Sequence, residues 1–180
     1  MSGVDAPRQS RPSASLRRAT PLDAQTVATW SRSEEETLQW CSSPTHPVPA
    51  ERIVAWWDDL DVQPWVLISA GESLLGYGEL WLDSDEDEVE LARIIVAPEA
   101  RGYGWGQQLV HALHAQAAAT ALSAIIVRVA PDNAAAIHCY LASGFVRVGA
   151  AEAAQWNAGQ PQNYVWMTAN PQGGEPVSAH

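Results

Sequence analysis

The segment that most constrains how this chain can fold is residues 101–106, Arg-Gly-Tyr-Gly-Trp-Gly. It follows an apolar run at 91–96 that predicts a β-strand, and it precedes a periodic apolar pattern that predicts a helix. Alternate glycines permit backbone dihedrals that other residues avoid and leave successive N–H groups unobstructed. Because such N–H groups at a helix N-terminus form an anion site, the segment predicts a phosphate-binding turn between strand and helix.

Spacing excludes the two commonest nucleotide-binding loops. A Walker loop closes with Gly-Lys-Ser/Thr, whereas Gln107 and Gln108 follow Gly106 here. The dinucleotide fingerprint requires G-x-G-x-x-G and an acidic residue about twenty positions further on. This chain has G-x-G-x-G and reaches Ile125 and Ile126 at that distance. The loop therefore belongs to neither class.

Two motifs together resemble the GCN5-related N-acetyltransferase (GNAT) superfamily. The glycine segment at 101–106 matches the family's Arg/Gln-x-x-Gly-x-Gly/Ala pyrophosphate loop, which also follows an aliphatic strand. Asn133, Tyr140 and Gly144-Phe145 match the family's asparagine-helix-tyrosine-Gly-Phe segment. The resemblance implies a single α/β domain in which helices flank a mixed, mostly antiparallel central sheet of about seven strands.

The resemblance also implies that acetyl-coenzyme A (acetyl-CoA) is the acetyl donor. In the family, backbone groups at the end of the strand pair with the pantetheine arm, and the glycine loop holds the diphosphate. The residues assigned to acetyl-CoA binding in this way are Ile94, Ile95, Val96, Arg101, Gly102, Tyr103, Gly104, Trp105, Gly106, Gln107, Asn133 and Tyr140.

The family's chemistry is direct attack of an amine on the thioester, which needs a general base. A lysine-type amine has a pKa near 10.4, so it is mostly protonated at neutral pH. Glu90 matches the position of the family's glutamate base, and strand alternation places it on one face with Ala92 and Ile94. Glu79 on the preceding strand competes for the role, and like-charge coupling would raise one pKa if the two carboxylates lie close together.

A general acid must protonate the departing thiolate. Tyr140 corresponds to the family's tyrosine, whose phenol has a reference pKa of about 10 and can donate a proton at neutral pH. With Glu90, Glu79 and Tyr140 as candidate catalytic residues, the sequence predicts an N-acetyltransferase that works through a ternary complex. Two alternatives stay open: a protein N-terminal or lysine acetyltransferase, and a non-catalytic acyl-CoA sensor.

Charge narrows the possible partners. The net charge of −11 argues against nucleic acid, which requires a basic face, and slightly favours a small cationic amine as acceptor. No Cys-x-x-Cys or His-Glu-x-x-His spacing supports a metal site. No apolar run reaches the length of a membrane span. Cys41 and Cys139 are interpreted as isolated thiols in a reducing compartment, so a cytoplasmic location is expected, as a monomer or a homodimer.

The predicted organisation is a disordered leader at 1–13, an acetyltransferase domain at 14–170 and a flexible tail at 171–180. The crossover from the 89–96 strand through the helix after the glycine loop to the 124–130 strand predicts a parallel pair. Further predicted strands cover 16–19, 65–70, 74–82, 145–148 and 164–168. Further predicted helices cover 23–30, 33–40, 51–60 and the segment after Asn133.

The same patterns predict helix ends and helix faces. Ser33 is expected to cap the 33–40 helix, and Asp132 or Asn133 the helix that follows them. In that helix Ile137, Tyr140 and Leu141 are expected to face inward, and Gly144 is expected to be left-handed at its end. The helix after the glycine loop is expected to have one inner face, formed by Trp105, Leu109, Leu113 and Ala117.

Overall fold

A computed structural model describes residues 13–171 of the chain. Apart from Ser13 and Pro171, the predicted leader and tail lie outside the described residues. Seven strands form one sheet in the order β1-β2-β3-β4-β5-β7-β6. The β4–β5 pair is parallel and the other pairs are antiparallel, which confirms the predicted mixed sheet and the predicted parallel crossover.

The elements follow the predicted order with one addition. The strands are β1 (Ala14–Arg18), β2 (Val62–Ser69), β3 (Leu74–Asp83), β4 (Glu88–Val96), β5 (Ala124–Val129), β6 (Val146–Arg147) and β7 (Val165–Ala169). The helices are α1 (Pro21–Val27), α2 (Glu34–Cys41), α3 (Ala50–Ala55), α4 (Trp105–Ala118), α5 (Ala134–Ala142) and α6 (Ala150–Trp156). Short 3₁₀ turns occupy Trp56–Asp58 and Pro98–Ala100.

Local signals explain most of these boundaries. The Ser33 hydroxyl caps α2 by accepting a hydrogen bond from the Glu36 amide at 3.1 Å, as the sequence predicts. Asn133 caps α5 in the same way, because its Oδ1 accepts from the Ala136 amide at 3.1 Å. Gly144 ends the α5 region with a φ of 91°, the left-handed conformation expected there.

One predicted helix is shorter than expected, and one helix was not predicted. The helix predicted to reach residue 60 is α-helical only to Ala55, because Asp58 and Asp59 oppose the negative helix C-terminus and Asp59 Oδ1 accepts from the Asp61 amide instead. No helix was predicted at α6, although its Ala-Ala-Glu-Ala-Ala-Gln-Trp sequence has high helix propensity. That helix lies in the connection between the last two predicted strands.

Helix α4 packs across β3 at unusually close range. A Cβ at Gly76 would lie 2.8 Å from Leu109 Cδ2, and one at Gly78 would lie 2.6 Å from Leu113 Cδ1. The glycines therefore let the helix approach the sheet, and the predicted inner face of α4 is buried. On α5, by contrast, Leu141 is 43% exposed, so the prediction that it faces inward was wrong. Within 13–171, no helix has the length and apolar character needed to cross a membrane.

Candidate active site

A β-bulge in β4 shapes the site. Ala92 pairs with Glu79 and Ile95 pairs with Tyr77, so β4 carries one more residue than β3 between these pairs. The bulge lies at Arg93, whose φ of 46° is left-handed. It shifts the alternation, so the predicted common face of Glu90, Ala92 and Ile94 was wrong beyond Ala92. Ile94 turns towards α4 instead, where its Cγ1 would lie 3.1 Å from a Cβ at Gly78.

The bulge coincides with a separation of the two parallel strands. Residues 88–90 of β4 pair with residues 124–126 of β5, and no pair between these strands follows within the described residues. The gap beyond is a cavity of about 940 Å³. Its walls come from β4 and β5, the C-terminal end of α2, the glycine loop, the first turn of α4, α5, and the segment before β7. The exposed backbone edge of β4 therefore faces a space large enough for a ligand.

The glycine loop presents unoccupied N–H groups to this cavity. Gly102 and Gly104 both have a φ of 82°, and no side chain caps α4. The first helical hydrogen bond from this end is donated by the Gln108 amide to the Gly104 carbonyl at 3.3 Å. The six preceding N–H groups, at 102–107, have no acceptor within residues 13–171. A row of donors at a helix N-terminus suits an anion such as a diphosphate.

Side chains of the loop behave differently from its backbone. Arg101 donates from Nε to the Val96 carbonyl and from Nη2 to the Trp30 carbonyl, each at 3.0 Å, and Nη2 lies 2.6 Å from Glu36 Oε1. Its guanidinium thus ties the loop to the helical layer, and its charge is already paired. Tyr103 is 77% exposed and Trp105 is buried, and both border a smaller, separate cavity. Neither residue lines the main cavity, although the sequence had assigned both to acetyl-CoA binding.

Glu90 lies on the wall of the main cavity. Its Oε1 is 3.0 Å from Arg128 Nε, and its side chain is 14% exposed. Burial raises the pKa of Glu90 to about 7, although the Arg128 charge opposes the shift. Glu79 is not among the groups that shift this pKa, so the conditional expectation of coupling between the two glutamates is not met. A carboxyl group that titrates near neutrality can accept a proton from an amine.

Tyr140 lines the same cavity from α5. Its ring packs edge-on against Phe145 with centroids 5.8 Å apart, while its hydroxyl has no hydrogen-bond partner within 13–171. Burial is the main cause that raises the pKa of Tyr140 above its ordinary value, and the charges of Cys139 and Glu90 add to it. The phenol therefore stays protonated and has its donor free. Asn133 also lines the cavity beside this helix.

Glu79 lies outside the cavity. Its carboxylate is fully buried and accepts hydrogen bonds from Tyr77 Oη, from Trp81 Nε1 at 2.6 Å and from Arg93 Nη1 at 2.9 Å. Both oxygens are occupied by donors from the strands. Glu79 therefore holds neighbouring side chains of the sheet in place, and it does not reach a substrate in the cavity.

Sequence reasoning passed over Arg128. It is the single charged residue in the otherwise apolar strand β5, and that was the signal that could have identified it. Its side chain lines the cavity next to Glu90 and is framed by three aromatic rings. A charged residue on a buried strand is costly unless it is paired, so its position needs a reason.

A strand bulge, a separated parallel pair and a helix N-terminus with free N–H groups define the class of acyl-CoA-dependent transferases. A family model described as the acetyltransferase (GNAT) family matches residues 27–145, so the chain belongs to this family. It is an acetyl-CoA-dependent N-acetyltransferase, and the predicted family, fold and acetyl donor are confirmed.

Solved structures with this fold include enzymes of two kinds. Spermidine N-acetyltransferase from Vibrio cholerae, in complex with CoA and spermine, is 20% identical with a TM-score of 0.67, covering 86% of this chain and 92% of its own. Aminoglycoside acetyltransferase AAC(6')-Ib, in complex with paromomycin and acetyl-CoA, is 20% identical with a TM-score of 0.72, covering 93% and 98%. At this identity the likeness shows the fold, over nearly the whole length of each chain.

Proposed function

We propose that this protein transfers the acetyl group of acetyl-CoA to the primary amine of a small molecule, by direct attack within a ternary complex. The observation that carries the proposal is a convergence in space. The free N–H groups of the glycine loop, the Glu90 carboxylate and the Tyr140 phenol all line one cavity, although they come from three different elements. The groups that would bind acetyl-CoA and those that would transfer protons therefore share one cavity.

Acetyl-CoA fits the donor set at this site. The N–H groups at 102–107 supply the hydrogen bonds and the partial positive charge that a diphosphate requires. The β4 edge beyond Glu90 offers backbone groups to the pantetheine amides, with two exceptions: the Arg93 carbonyl already accepts from Trp40, and the Val96 carbonyl already accepts from Arg101. When bound, acetyl-CoA supplies the thioester carbon that the amine attacks.

Glu90 and Tyr140 have complementary roles in the transfer. The Glu90 carboxylate takes a proton from the acceptor's ammonium group, which frees the nitrogen lone pair to form the C–N bond. As the C–S bond breaks, the Tyr140 hydroxyl gives its proton to the sulfur, and the nitrogen, which still carries one proton more than an amide, gives that proton through solvent to the Tyr140 phenolate. The first proton, held by Glu90, is released to solvent, so that both side chains return to their starting states. The free Tyr140 hydroxyl and the neutral-range pKa of Glu90 support these assignments.

A small acceptor is favoured over a polypeptide by the surroundings of the cavity. An open cleft between Trp57 and Trp156 would have favoured a peptide acceptor, but neither residue lines the cavity. Trp57 Nε1 donates to Tyr77 Oη at 3.0 Å, and Trp156 packs against Trp166 at 5.3 Å between centroids. The amines bound in the two structural neighbours, spermine and paromomycin, are small molecules and point the same way.

The loop's part can be tested by calorimetry with CoA. Gly104→Val adds a side chain into open space at a φ of 82°, so it should act only by forcing the backbone out of its left-handed conformation. We expect CoA binding to weaken by about tenfold. The matched control is Gly71→Val, because Gly71 is an exposed turn glycine without positive φ and its added Cβ meets only ordinary contact.

The acceptor's size can be tested by measuring thiol release from acetyl-CoA. Small primary amines and peptides with free N-termini or lysines are compared under the same conditions. The proposal predicts turnover with at least one small amine. Turnover with peptides alone, or an unchanged CoA affinity in Gly104→Val, contradicts it.

A further inference from the structure

Arg128 offers hydrogen-bond donors to the cavity next to the proposed base. Its Nε lies 3.0 Å from Glu90 Oε1, and its Nη1 donates to Gln160 Oε1 at 3.1 Å. The Nη2 group has no acceptor within residues 13–171, and the side chain is 26% exposed. A guanidinium carries five N–H donors in a fixed plane, so the two Nη2 donors are left for a ligand in the cavity that Arg128 lines.

The guanidinium is held in place from several directions. Its Cζ lies 5.7 Å from the ring centroid of Trp81, 5.5 Å from that of Tyr164 and 5.6 Å from that of Trp166. These rings come from β3, from the segment before β7 and from β7 itself. Arginine stacked in this way loses little conformational freedom when it binds a ligand. Arg128 is therefore preorganised as a recognition group.

The cavity wall differs in charge from the whole molecule. Its charged residues are three arginines and two glutamates, whereas the chain as a whole has a net charge of −11. Arg93 is paired with Glu79, and Arg101 is paired with Glu36. Arg128 shares Glu90, which becomes neutral whenever it accepts a proton. At that step the Arg128 charge has no negatively charged partner among the described residues, and within a Debye length of about 8 Å this local charge outweighs distant acids.

We infer that Arg128 determines acceptor specificity by binding a carboxylate of the substrate, so that the acceptor is a small amine with a carboxylate close to its amino group, as in α- or β-amino acids. This inference rests on the proposed function. The substrate's amine would lie at Glu90 and its carboxylate at Arg128 Nη2, and these two side chains contact each other. The substrate's two groups are therefore separated by only a few covalent bonds. Guanidinium recognises carboxylate through paired, charge-assisted hydrogen bonds.

The test compares amines that differ only in the carboxylate. Thiol release from acetyl-CoA is measured with α-amino acids and β-alanine, with the primary amide of each, and with putrescine and spermidine. For wild type we expect the best carboxylate-bearing amine to exceed its own amide in kcat/KM by at least about tenfold. We also expect it to exceed both polyamines.

The Arg128→Met variant then isolates the contact. Loss of Arg128 alters the base for every acceptor, but the ratio of acid to amide kcat/KM cancels that common effect. We expect the ratio to fall towards one in Arg128→Met and to recover in part in Arg128→Lys, which keeps the charge without the planar fork. Arg147→Met, an exposed arginine on β6, is the matched control and should keep the wild-type ratio.

Each outcome has a separate meaning. If the amide or a polyamine is the better substrate, or if Arg128→Met keeps the wild-type ratio, the inference is overturned while the proposed function stands. If no small amine of any charge is acetylated, the proposed function fails first. Thermal unfolding of both Arg128 variants shows whether they are folded. If Arg128→Met is not folded, the acid-to-amide ratio of kcat/KM in Arg128→Lys decides the inference, because this ratio should still lie below the wild-type value.

Discussion

Glu79 and Glu90 lie on neighbouring strands, Glu79 fully buried and Glu90 largely buried, and their surroundings differ in one decisive respect. Glu79 is fully buried, and three donors occupy its oxygens. Glu90 meets one cation through Oε1 and otherwise faces a cavity. Burial alone therefore does not identify a catalytic carboxylate. The distinguishing property is an oxygen that is desolvated and yet without a full set of protein donors.

The occupied carboxylate nonetheless helps to build the site. Glu79 holds Arg93 at 2.9 Å, and the Arg93 guanidinium lies 3.9 Å from the Trp56 ring and 4.7 Å from the Trp81 ring. Trp40 Nε1 donates to the Arg93 carbonyl at 2.8 Å. These contacts fix the bulge residue in its left-handed conformation, next to the point where β4 separates from β5. One glutamate stabilises the opening of the sheet, and the other lies at its edge.

The largest expected effect is on the activity of Glu90→Gln. Loss of the proposed base should lower kcat by about 10²- to 10⁴-fold on a good acceptor, because general-base catalysis contributes about that much. Steady-state thiol release measures the loss. Glu72→Gln, an exposed change of the same chemistry in the β2–β3 turn, should leave activity unchanged. Full activity in Glu90→Gln would show that Glu90 is not the base, and the proposed functional difference between the two glutamates would then be wrong.

The next effect is on the stability of Glu79→Gln. The change leaves the buried Arg93 charge without its partner, and breaking one half of a buried pair costs about 3–5 kcal/mol. Denaturant unfolding measures the free energy of unfolding. For Glu90→Gln, where the carboxylate contacts a partly exposed arginine, the loss should be much smaller. If Glu79→Gln unfolds like wild type and loses only catalytic rate, the structural role assigned to Glu79 is wrong.

A smaller effect is expected for Tyr140→Phe. The phenyl ring preserves the packing against Phe145, and the lost hydroxyl has no partner within 13–171, so stability should change little. The rate should fall by roughly 10²-fold because the thiolate then leaves without its proton donor. Comparing substrates whose leaving thiols differ in pKa sharpens the test. A rate loss that is independent of the leaving group would point to positioning instead of acid catalysis.

The smallest effect is a shift in the pH profile. Because burial raises the pKa of Glu90 to about 7, the base form and hence kcat should increase as pH rises through about 7. The charges of Arg128 and Arg93 lower the pKa of Glu90, and the charge of Glu88 raises it further. Arg128→Met should therefore move the rise of kcat to higher pH. A rise that does not move in Arg128→Met would assign the titration to another group.

The same pKa has a consequence for stability. A raised carboxyl pKa means that the folded state holds the proton more tightly than the unfolded state. The stability contributed by neutral Glu90 is therefore fully present below the ordinary pKa of 4.5 and is lost as pH rises through about 7. Glu90→Gln should lack this decline, which unfolding experiments at several pH values can measure.

The sequence by itself determined the features that depend on near neighbours. Three glycines between an apolar strand and a periodic helix predicted the left-handed loop, and φ values of 82° at Gly102 and Gly104 agree with it. Helix starts were predicted at Ser33 and at Asp132 or Asn133 for the same reason, since a cap needs only the next three residues, and the structure shows Ser33 and Asn133 as the caps. Family, fold and acetyl donor followed from these local motifs.

Only the tertiary structure decided which charged groups face the cavity. The bulge at Arg93 depends on tryptophans about forty to fifty positions earlier in the chain, and no local pattern announces it. Because of the bulge, side chains beyond Ala92 do not follow the simple strand alternation that was used to predict the face of Ile94. The bulge also gives Glu79 and Glu90 different surroundings. The Arg128 guanidinium is held by contacts with aromatic rings on β3, on β7 and just before β7. Residue type sets what a side chain can do, but contacts between distant segments set which of its donors and acceptors remain free.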